Sequence, residues 1–352
     1  MRKKFVYFLY VLGFCIGQNI ASAQTNLFSS DSVLQITLGG NIRDLLNDRT
    51  EDSKYHFITI GYPKSTGVYY TLAAEAKTRG HFRKLKENCD YPPLLLHFYK
   101  TDSLDASVFK ELNSVKLVMP CAGDEYVIRE WLVYKLYNIL TPKSFNARLV
   151  NVSLYDTKAK KPSPSFYGIL LEEEKQMAAR NHCINVDVKL RPEQTNEKDF
   201  LTMAMFEYMI GNTDWGVQYL QNIKLISKDS TSVPSTVAYD FDHAGIVDAP
   251  YAKPAEELEM SSTHERRYRG FCMEDLSKFD DIIALFNKLK PAFYKVYTDC
   301  SLLDAKYVKA TLKFLDNFYA TINSASAFQK DFSYPCDKNG TGNVVIKGLK
   351  EE

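Results

Sequence analysis

The chain has 352 residues, of which 45% are hydrophobic and 25% are charged. These proportions are typical of a folded globular protein and exclude a disordered, collagen-like or coiled-coil chain. Its 44 basic and 43 acidic residues nearly balance. A protein that binds nucleic acid needs a clear cationic surplus, so we expect no nucleic-acid partner.

Residues 1–23 have the pattern of a secretory signal peptide. A basic start at residues 2–4 precedes an apolar stretch, and Ala21-Ser22-Ala23 supplies the small residues that a signal peptidase reads. The apolar stretch is shorter than the ~20 residues that a membrane span requires, and no later segment resembles a span. We therefore expect an exported protein in the periplasm, on the outer surface or outside the cell, without a transmembrane segment.

Six cysteines remain once the signal peptide is removed. An even number in an oxidising compartment is compatible with disulfides, although sequence alone cannot choose among the pairings. We predict a bridge between Cys89 and Cys121. Buried free thiols stay open for the others, which are Cys183, Cys272, Cys300 and Cys336.

The first half of the mature chain is rich in predicted strands. Alternating apolar and polar residues, with many β-branched and aromatic side chains, are typical of half-buried strands. A helical period over Glu125–Leu140 then predicts one long helix. We group residues 24–190 as a β-rich N-terminal lobe. Its predicted strands are Leu34–Leu38, His56–Ile60, Tyr69–Leu72, Leu94–Phe98, Arg148–Tyr155 and Phe166–Leu171.

The second half is mainly helical. Phe200–Ile210, Leu276–Leu289 and Val308–Ile322 carry apolar residues at helical spacing, and the first of these segments ends at Gly211. We group residues 191–332 as a helical C-terminal lobe. Residues 333–352 are polar and are expected to form a flexible tail.

The C-terminal lobe contains the residues most suggestive of chemistry. Asp214 follows a helix stop, Asn222 precedes a predicted strand, and Asp240 and Asp242 end another. In phosphoryl transfer one Asp orients or deprotonates the acceptor hydroxyl, while an Asn and a second Asp hold Mg²⁺ through oxygen ligands. If residues 240–242 are extended, Asp240 and Asp242 share a face and both can address one metal, with Phe241 in the core.

This block resembles the CotH-like secreted kinases, which have a protein-kinase-like fold and are related to HipA-type kinases. Three further segments are similar to motifs of that family, and the resemblance covers most of the mature chain. They are the Arg-Gly turn in Thr78–Arg83, the helix that begins at Asp124 and carries Arg129, and the hairpin Phe166–Leu171 that leads to Glu174.

The resemblance implies a two-lobed α+β fold with a β-rich N-lobe and a helical C-lobe. It implies Asp214 as the catalytic residue, Asn222 and Asp240 as metal ligands, and Asp242 as an auxiliary carboxylate. The cofactor would be Mg²⁺ or Mn²⁺, the co-substrate ATP, and the acceptor a protein or surface-glycan hydroxyl. The nucleotide would be bound by Arg79 and by a lysine, with Glu174 as the acidic partner of that lysine. The lysine is one of three candidates, which are Lys84, Lys86 and Lys116.

Two other functions remain open at this point. An exported pseudokinase would keep the fold and serve as a binding or assembly module at the cell envelope. A metal-dependent sugar transferase also uses Asp-x-Asp. Among nearby residues, Trp215 is expected in the core, His243 in a loop, and Arg266, Arg267 and Arg269 in a solvated basic cluster unless they hold phosphates.

Overall fold

The computed structural model describes residues 26–63, 67–273 and 275–333. The predicted signal peptide lies outside the described residues, as does the predicted tail beyond Ser333. The elements below are numbered in chain order.

The N-terminal half is built on one mixed sheet. Its strands are β1 Leu34–Gly40, β2 His56–Pro63, β3 Tyr69–Thr78, β4 Leu94–Phe98, β5 Ser114–Val118, β6 Ala147–Asp156, the short β7 Lys161–Pro162, and β8 Phe166–Leu171. They follow the order β1-β2-β3-β4-β5-β8-β6, and β7 extends β6 in a hairpin. β1 also pairs with β6 in parallel, with Leu34 opposite Val150, so the sheet closes into a seven-stranded barrel.

The predicted two-lobed kinase-like fold is therefore wrong. The N-terminal half is a closed mixed barrel, and a separate helical region follows it. The strand predictions for β4 and β8 are confirmed, because both strands have the predicted bounds. Periodicity shows which residues face a core, but it does not show which distant strands pair, and closure depends on the pairing of β1 with β6.

The barrel interior is filled by alternate side chains of its strands. In β1, Leu34, Ile36 and Leu38 point inward and are buried, while the residues between them are not. Small residues such as Ala74 and Ala76 of β3 face the same core. Two short helices, α1 Ile42–Asn47 and α2 Asp102–Asp105, add Leu45 and Leu104 to it.

The second core lies between the outside of the barrel and the helical region. The helices are α3 Asp124–Leu140, α4 Glu174–Arg180, α5 Glu197–Ile210, α6 Asp280–Thr298, α7 Ala305–Ile322 and α8 Ala325–Phe332. A small antiparallel sheet consists of β9 Ile184–Val186, β10 Ile223–Ser227 and β11 Ser235–Ala238. α3 packs against β6 and β8 on one side and α6 on the other, so it is apolar on most of its surface.

The helix predictions are confirmed with shifted ends. α5 ends at Gly211, whose φ of 69° is the left-handed conformation of a C-terminal cap. α6 begins later than predicted, after a 3₁₀ turn over Leu276–Phe279, and continues through Pro291 to Thr298. The sequence patterns missed α4 and α8, which are short and carry few apolar residues.

The predicted disulfide between Cys89 and Cys121 is confirmed. It ties the segment after β3 to the segment after β5, with Cα atoms 4.7 Å apart. Cys183 and Cys300 are free thiols.

Candidate functional site

Asp214 and Asn222 lie side by side, as their predicted roles require. Asp214 is in the loop after α5, and Asn222 immediately precedes β10. The Asn222 side-chain amide donates to Asp214 Oδ2 at 3.0 Å and to the Asp214 carbonyl at 2.7 Å. Gln221 Nε2 donates to Asp214 Oδ1 at 2.5 Å. Both carboxylate oxygens of Asp214 therefore have a fixed direction.

Asp240 is positioned near this pair by β11, the strand next to β10. β11 pairs with β10, and the Tyr239 N–H donates to the Asn222 carbonyl at 3.0 Å. Asn222 and Asp240 both have left-handed backbones, with φ of 51° and 63°. Asn and Asp are the side chains that tolerate this region best after glycine. These two turns set the directions of the side chains at the ends of β10 and β11.

The predicted extended conformation of residues 240–242 is wrong. β11 ends at Ala238, and the left-handed turn at Asp240 breaks the strand alternation. Phe241 is nevertheless fully buried against Tyr134, as predicted. The carboxylate of Asp242, however, is held elsewhere and does not form a simple Asp-x-Asp pair with Asp240.

Asp242 belongs to a buried ion pair with Arg83. Arg83 Nη2 lies 2.7 Å from Asp242 Oδ2 and 3.0 Å from Glu130 Oε2, and Tyr251 donates its hydroxyl to Asp242 at 3.0 Å. Burial acts to raise the pKa of Asp242, but the Arg83 charge, the neighbouring His243 and the hydrogen bonds from Arg83 and Tyr251 together outweigh it and hold that pKa below its ordinary value. Burial raises the pKa of Glu130 to about 8. We call Arg83, Glu130 and Asp242 the buried ion cluster.

Unlike Asp242, Asp240 forms no ion pair with a described residue, and its pKa is raised. Its N–H donates to the Tyr134 hydroxyl at 2.9 Å, but its carboxylate accepts no hydrogen bond from the part of the chain that is described. Burial raises the pKa of Asp240, Asp242 and Asp214 raise it further, and Arg83 and Arg79 oppose them. A cation at this position would relieve the repulsion among the three carboxylates.

Two lysines, one from the barrel and one from β10, lie beside the ring of Tyr239, the residue before Asp240. Lys116 of β5 is buried, and its ammonium lies 5.8 Å from the centre of the Tyr239 ring. Lys224 of β10 lies at the same distance from that ring and 3.0 Å from Glu174 Oε2. Glu174 thus pairs directly with Lys224, although it also lies in the electrostatic environment of Lys116.

Burial and the Arg79 charge lower the pKa of Lys116 to about 8, although Glu173 opposes them. Arg79 also acts electrostatically on Tyr239 and Asp240, so it belongs to the same group. We call this group the polar cluster; its members are Arg79, Lys116, Glu174, Asp214, Asn222, Lys224, Tyr239 and Asp240.

Lys84 is not brought to the polar cluster. Its ammonium donates to Ser53 Oγ at 3.3 Å and to the Thr50 carbonyl, in the segment between α1 and β2. Lys86 is exposed on the segment after β3. Of the three lysines left open by the sequence, Lys116 is the one that lies among the other predicted site residues.

Arg269 stabilises the Asp214 loop by binding its backbone carbonyls. It is buried and donates to the Thr213 carbonyl at 2.5 Å and to the Trp215 carbonyl, on the two sides of Asp214. Arg266 donates to the Met209 and Phe314 carbonyls. The expectation of a solvated basic cluster is therefore wrong for both arginines, because the carbonyls they bind come from distant segments that sequence spacing does not reveal.

Two other expectations from the sequence hold. Trp215 is buried in the core. His243 lies in a loop, with its ring 5.8 Å from that of Phe82 and 5.6 Å from that of Tyr251. Sequence reasoning missed Lys224 and Tyr239, since a lysine in a strand and a tyrosine before an aspartate carry no distinctive signal.

The polar cluster stands out by its chemistry and not by cavity size. A cavity of about 650 Å³ lies between α3 and α6, lined by residues such as Trp131, Ile139 and Val296, and it contains none of the cluster residues. Within the described ranges, no three His, Cys, Asp or Glu side chains are grouped so that they alone could hold a metal ion.

Comparison with known proteins adds no assignment. No protein-family model matches the chain, and no curated protein matches it. Among the residues described, no helix has the length and apolar character needed to cross a membrane.

Replacing Arg83 by Met should lower the free energy of unfolding by about 3–5 kcal/mol, because it leaves the Asp242 charge buried without a partner. Urea-induced unfolding measures this change. The matched control is Lys158→Met, which breaks the exposed 3.0 Å pair with Asp44 and should leave the free energy of unfolding almost unchanged. Equal losses in the two variants would contradict a structural role for the buried ion cluster.

Proposed function

We propose that this chain is an exported phosphotransferase, CotH-like in its site residues, that transfers a phosphoryl group from ATP to a hydroxyl of a protein or surface glycan. One observation carries the proposal. Lysines of β5 and β10 lie beside the ring of Tyr239. Arg79, which follows β3, acts electrostatically on that tyrosine and on Asp240, and Asp214 acts on Asp240 from the α5 loop. Phosphoryl transfer is catalysed mainly by positioning and by electrostatic stabilisation, so it requires such an arrangement.

The cations are suited to hold the phosphates of the nucleotide. Lys116 is largely shielded from water, which strengthens its attraction for an anion compared with an exposed lysine. Lys224 and Arg79 place two further charges beside it. Glu174 fixes the direction of the Lys224 ammonium at 3.0 Å.

The acidic side of the polar cluster fits a magnesium ion. Asp240 offers a carboxylate that accepts no hydrogen bond from the described residues, and the Asn222 amide nitrogen is turned to Asp214, which leaves the amide oxygen available. Mg²⁺ is usually bound by one or two carboxylates together with waters and substrate phosphates. Asn222 and Asp240 would hold the ion, which would neutralise charge on the phosphates. Asp242 stays in the buried ion cluster.

In this proposal Asp214 receives the proton of the acceptor. Gln221 and Asn222 each donate to one of its carboxylate oxygens, and Arg269 holds the carbonyls that flank it. As the acceptor oxygen bonds to phosphorus and the bond to the ADP oxygen breaks, the hydroxyl proton passes to Asp214. This role depends on the local site and not on the kinase fold, which the closed barrel excludes.

A pseudokinase that acts as a binding module is the second candidate. The observation that favours it is the double engagement of Asp214, whose two carboxylate oxygens both accept hydrogen bonds from amides. A carboxylate held in this way is less free to take a proton. Both candidates bind the nucleotide, but only the phosphotransferase transfers the phosphoryl group.

Transfer of label from γ-labelled ATP tests the catalytic proposal. With Mg²⁺ and a mixture of exported proteins and polysaccharides as acceptors, the mature chain should label an acceptor, and Asp214→Asn should lower the rate by about 10²-fold or more. Exposed Asp52→Asn is the control and should leave the rate unchanged. Equal rates in wild type and Asp214→Asn would contradict the role of Asp214. Nucleotide binding without labelling would favour the pseudokinase.

The affinity for ATP should fall as the pH rises from about 7 to about 9. The pKa of Lys116 is lowered from 10.5 to about 8, so its charge is present below that pH and is lost above it. Equilibrium dialysis with labelled ATP measures the effect. Lys116→Met should bind ATP weakly at every pH, while the exposed control Lys175→Met should follow the wild type. An affinity of the wild type that stays constant to about pH 9 would contradict this assignment of Lys116.

A further inference from the structure

The outer surface of β2, β3 and β4 exposes a group of aromatic rings. Phe57 is 63% exposed, Tyr55 41% and Tyr99 38%, and the side chain of His97 is 40% exposed. An exposed group of rings on a folded domain is unusual and commonly marks an interaction site. We call these four residues the aromatic face.

The strand register places these side chains together. Phe57 of β2 lies opposite Glu75 of β3, and Glu75 lies opposite His97 of β4, so the three side chains point to the same side of the sheet. The His97 ring is 5.9 Å from the Tyr55 ring and 6.3 Å from the Tyr99 ring. The rings therefore form one surface around Glu75.

This surface carries one carboxylate, Glu75, and one ammonium, Lys77, and both already have contacts within it. Glu75 Oε1 lies 3.2 Å from His97 Nδ1, and Glu75 Oε2 accepts a hydrogen bond from the Tyr99 hydroxyl at 2.8 Å. The Lys77 ammonium lies 4.9 Å from the centre of the Tyr55 ring. A charged partner would have to compete with these contacts, and a wholly apolar partner would remove water from Glu75 and Lys77 without replacing its hydrogen bonds.

A neutral chain of sugars matches both properties of the surface. Its C–H faces pack on aromatic rings, and its hydroxyl groups exchange hydrogen bonds with Glu75, Lys77 and the tyrosine hydroxyls without a net charge. We propose that the aromatic face is a binding site for a neutral polysaccharide.

The aromatic face continues toward the polar cluster. Burial raises the pKa of Tyr55, and Glu75 and Glu173 raise it further, while Glu173 also acts on Lys116. The register gives the same direction, because Lys77 lies opposite Leu95 and Leu95 opposite Lys116, so Lys116 is on the same side of the sheet as Glu75 and His97. If the proposed function holds, the bound polysaccharide is the acceptor, which rests on that proposal; the binding itself does not depend on it.

Affinity electrophoresis of the mature full chain tests the binding. Gels containing dextran, laminarin or mannan are the probes, and at least one should retard the protein. The Tyr55→Ala/Phe57→Ala double variant should weaken the apparent affinity by roughly tenfold or more. Tyr155→Ala is the matched control, because Tyr155 is 38% exposed on β6 and lies outside the aromatic face. An unchanged urea midpoint confirms that each variant is folded.

Three outcomes would overturn the proposal. They are no retardation by any of the three polysaccharides, retardation that the double variant leaves unchanged, and binding only to a polyglutamate or polylysine peptide, which would indicate a charged partner. Lys116→Met separates this proposal from the phosphotransferase proposal, since it should lose ATP binding and keep the retardation. If the chain binds polysaccharide but not ATP, the result would support the polysaccharide site and contradict the nucleotide site.

Discussion

The buried guanidinium of Arg83 ties together the parts of the chain that build the candidate site. It belongs to the turn after β3, and it contacts Glu130 of α3 and Asp242 after β11. Burial of these charges costs free energy, and the loss of one partner would leave another charge unpaired in the core. The ion cluster therefore fixes how the barrel, α3 and the β11 loop meet. Asp240 is two residues from Asp242 of this cluster, which limits where its carboxylate can lie.

The second constraint is the separation of charge across Tyr239. The barrel and β10 contribute the cations Arg79, Lys116 and Lys224, while the α5 loop and the end of β11 contribute Asp214 and Asp240. Each side is unfavourable by itself, since burial and like charges lower the pKa of Lys116 and raise that of Asp240. A metal ion with phosphates would supply the opposite charge to both sides, which is the physical basis of the proposed function.

Much of the secondary structure and part of the site could be predicted from the sequence. Strands β4 and β8, helix α3 and the Gly211 stop follow from local pattern or residue type. The resemblance also assigns Asp214 and Asn222 to one site, and their side chains are in contact. These features depend on short stretches of chain, where periodicity and helix-ending residues carry the information.

The remaining features depend on contacts between distant segments. The pairing of β1 with β6 closes the barrel, yet each strand alone has the alternation of an open sheet. The Asp240 turn and the Arg83 contact to Asp242 separate two carboxylates that would share a face in an extended strand. Arg269 donates hydrogen bonds to backbone carbonyls of the Asp214 loop. The sequence shows only that Arg269 lies near other basic residues and does not show this contact.

Calorimetric titration of the mature protein with ATP, with and without Mg²⁺, tests the metal–nucleotide site most directly, with Asp240→Ala as the matched variant. The account predicts saturable binding that requires the metal and is lost in a folded Asp240→Ala protein. Binding that is equally strong without metal, or that survives in Asp240→Ala, would contradict the role of Asp240. The absence of any binding to a folded wild-type protein would contradict the nucleotide site as a whole.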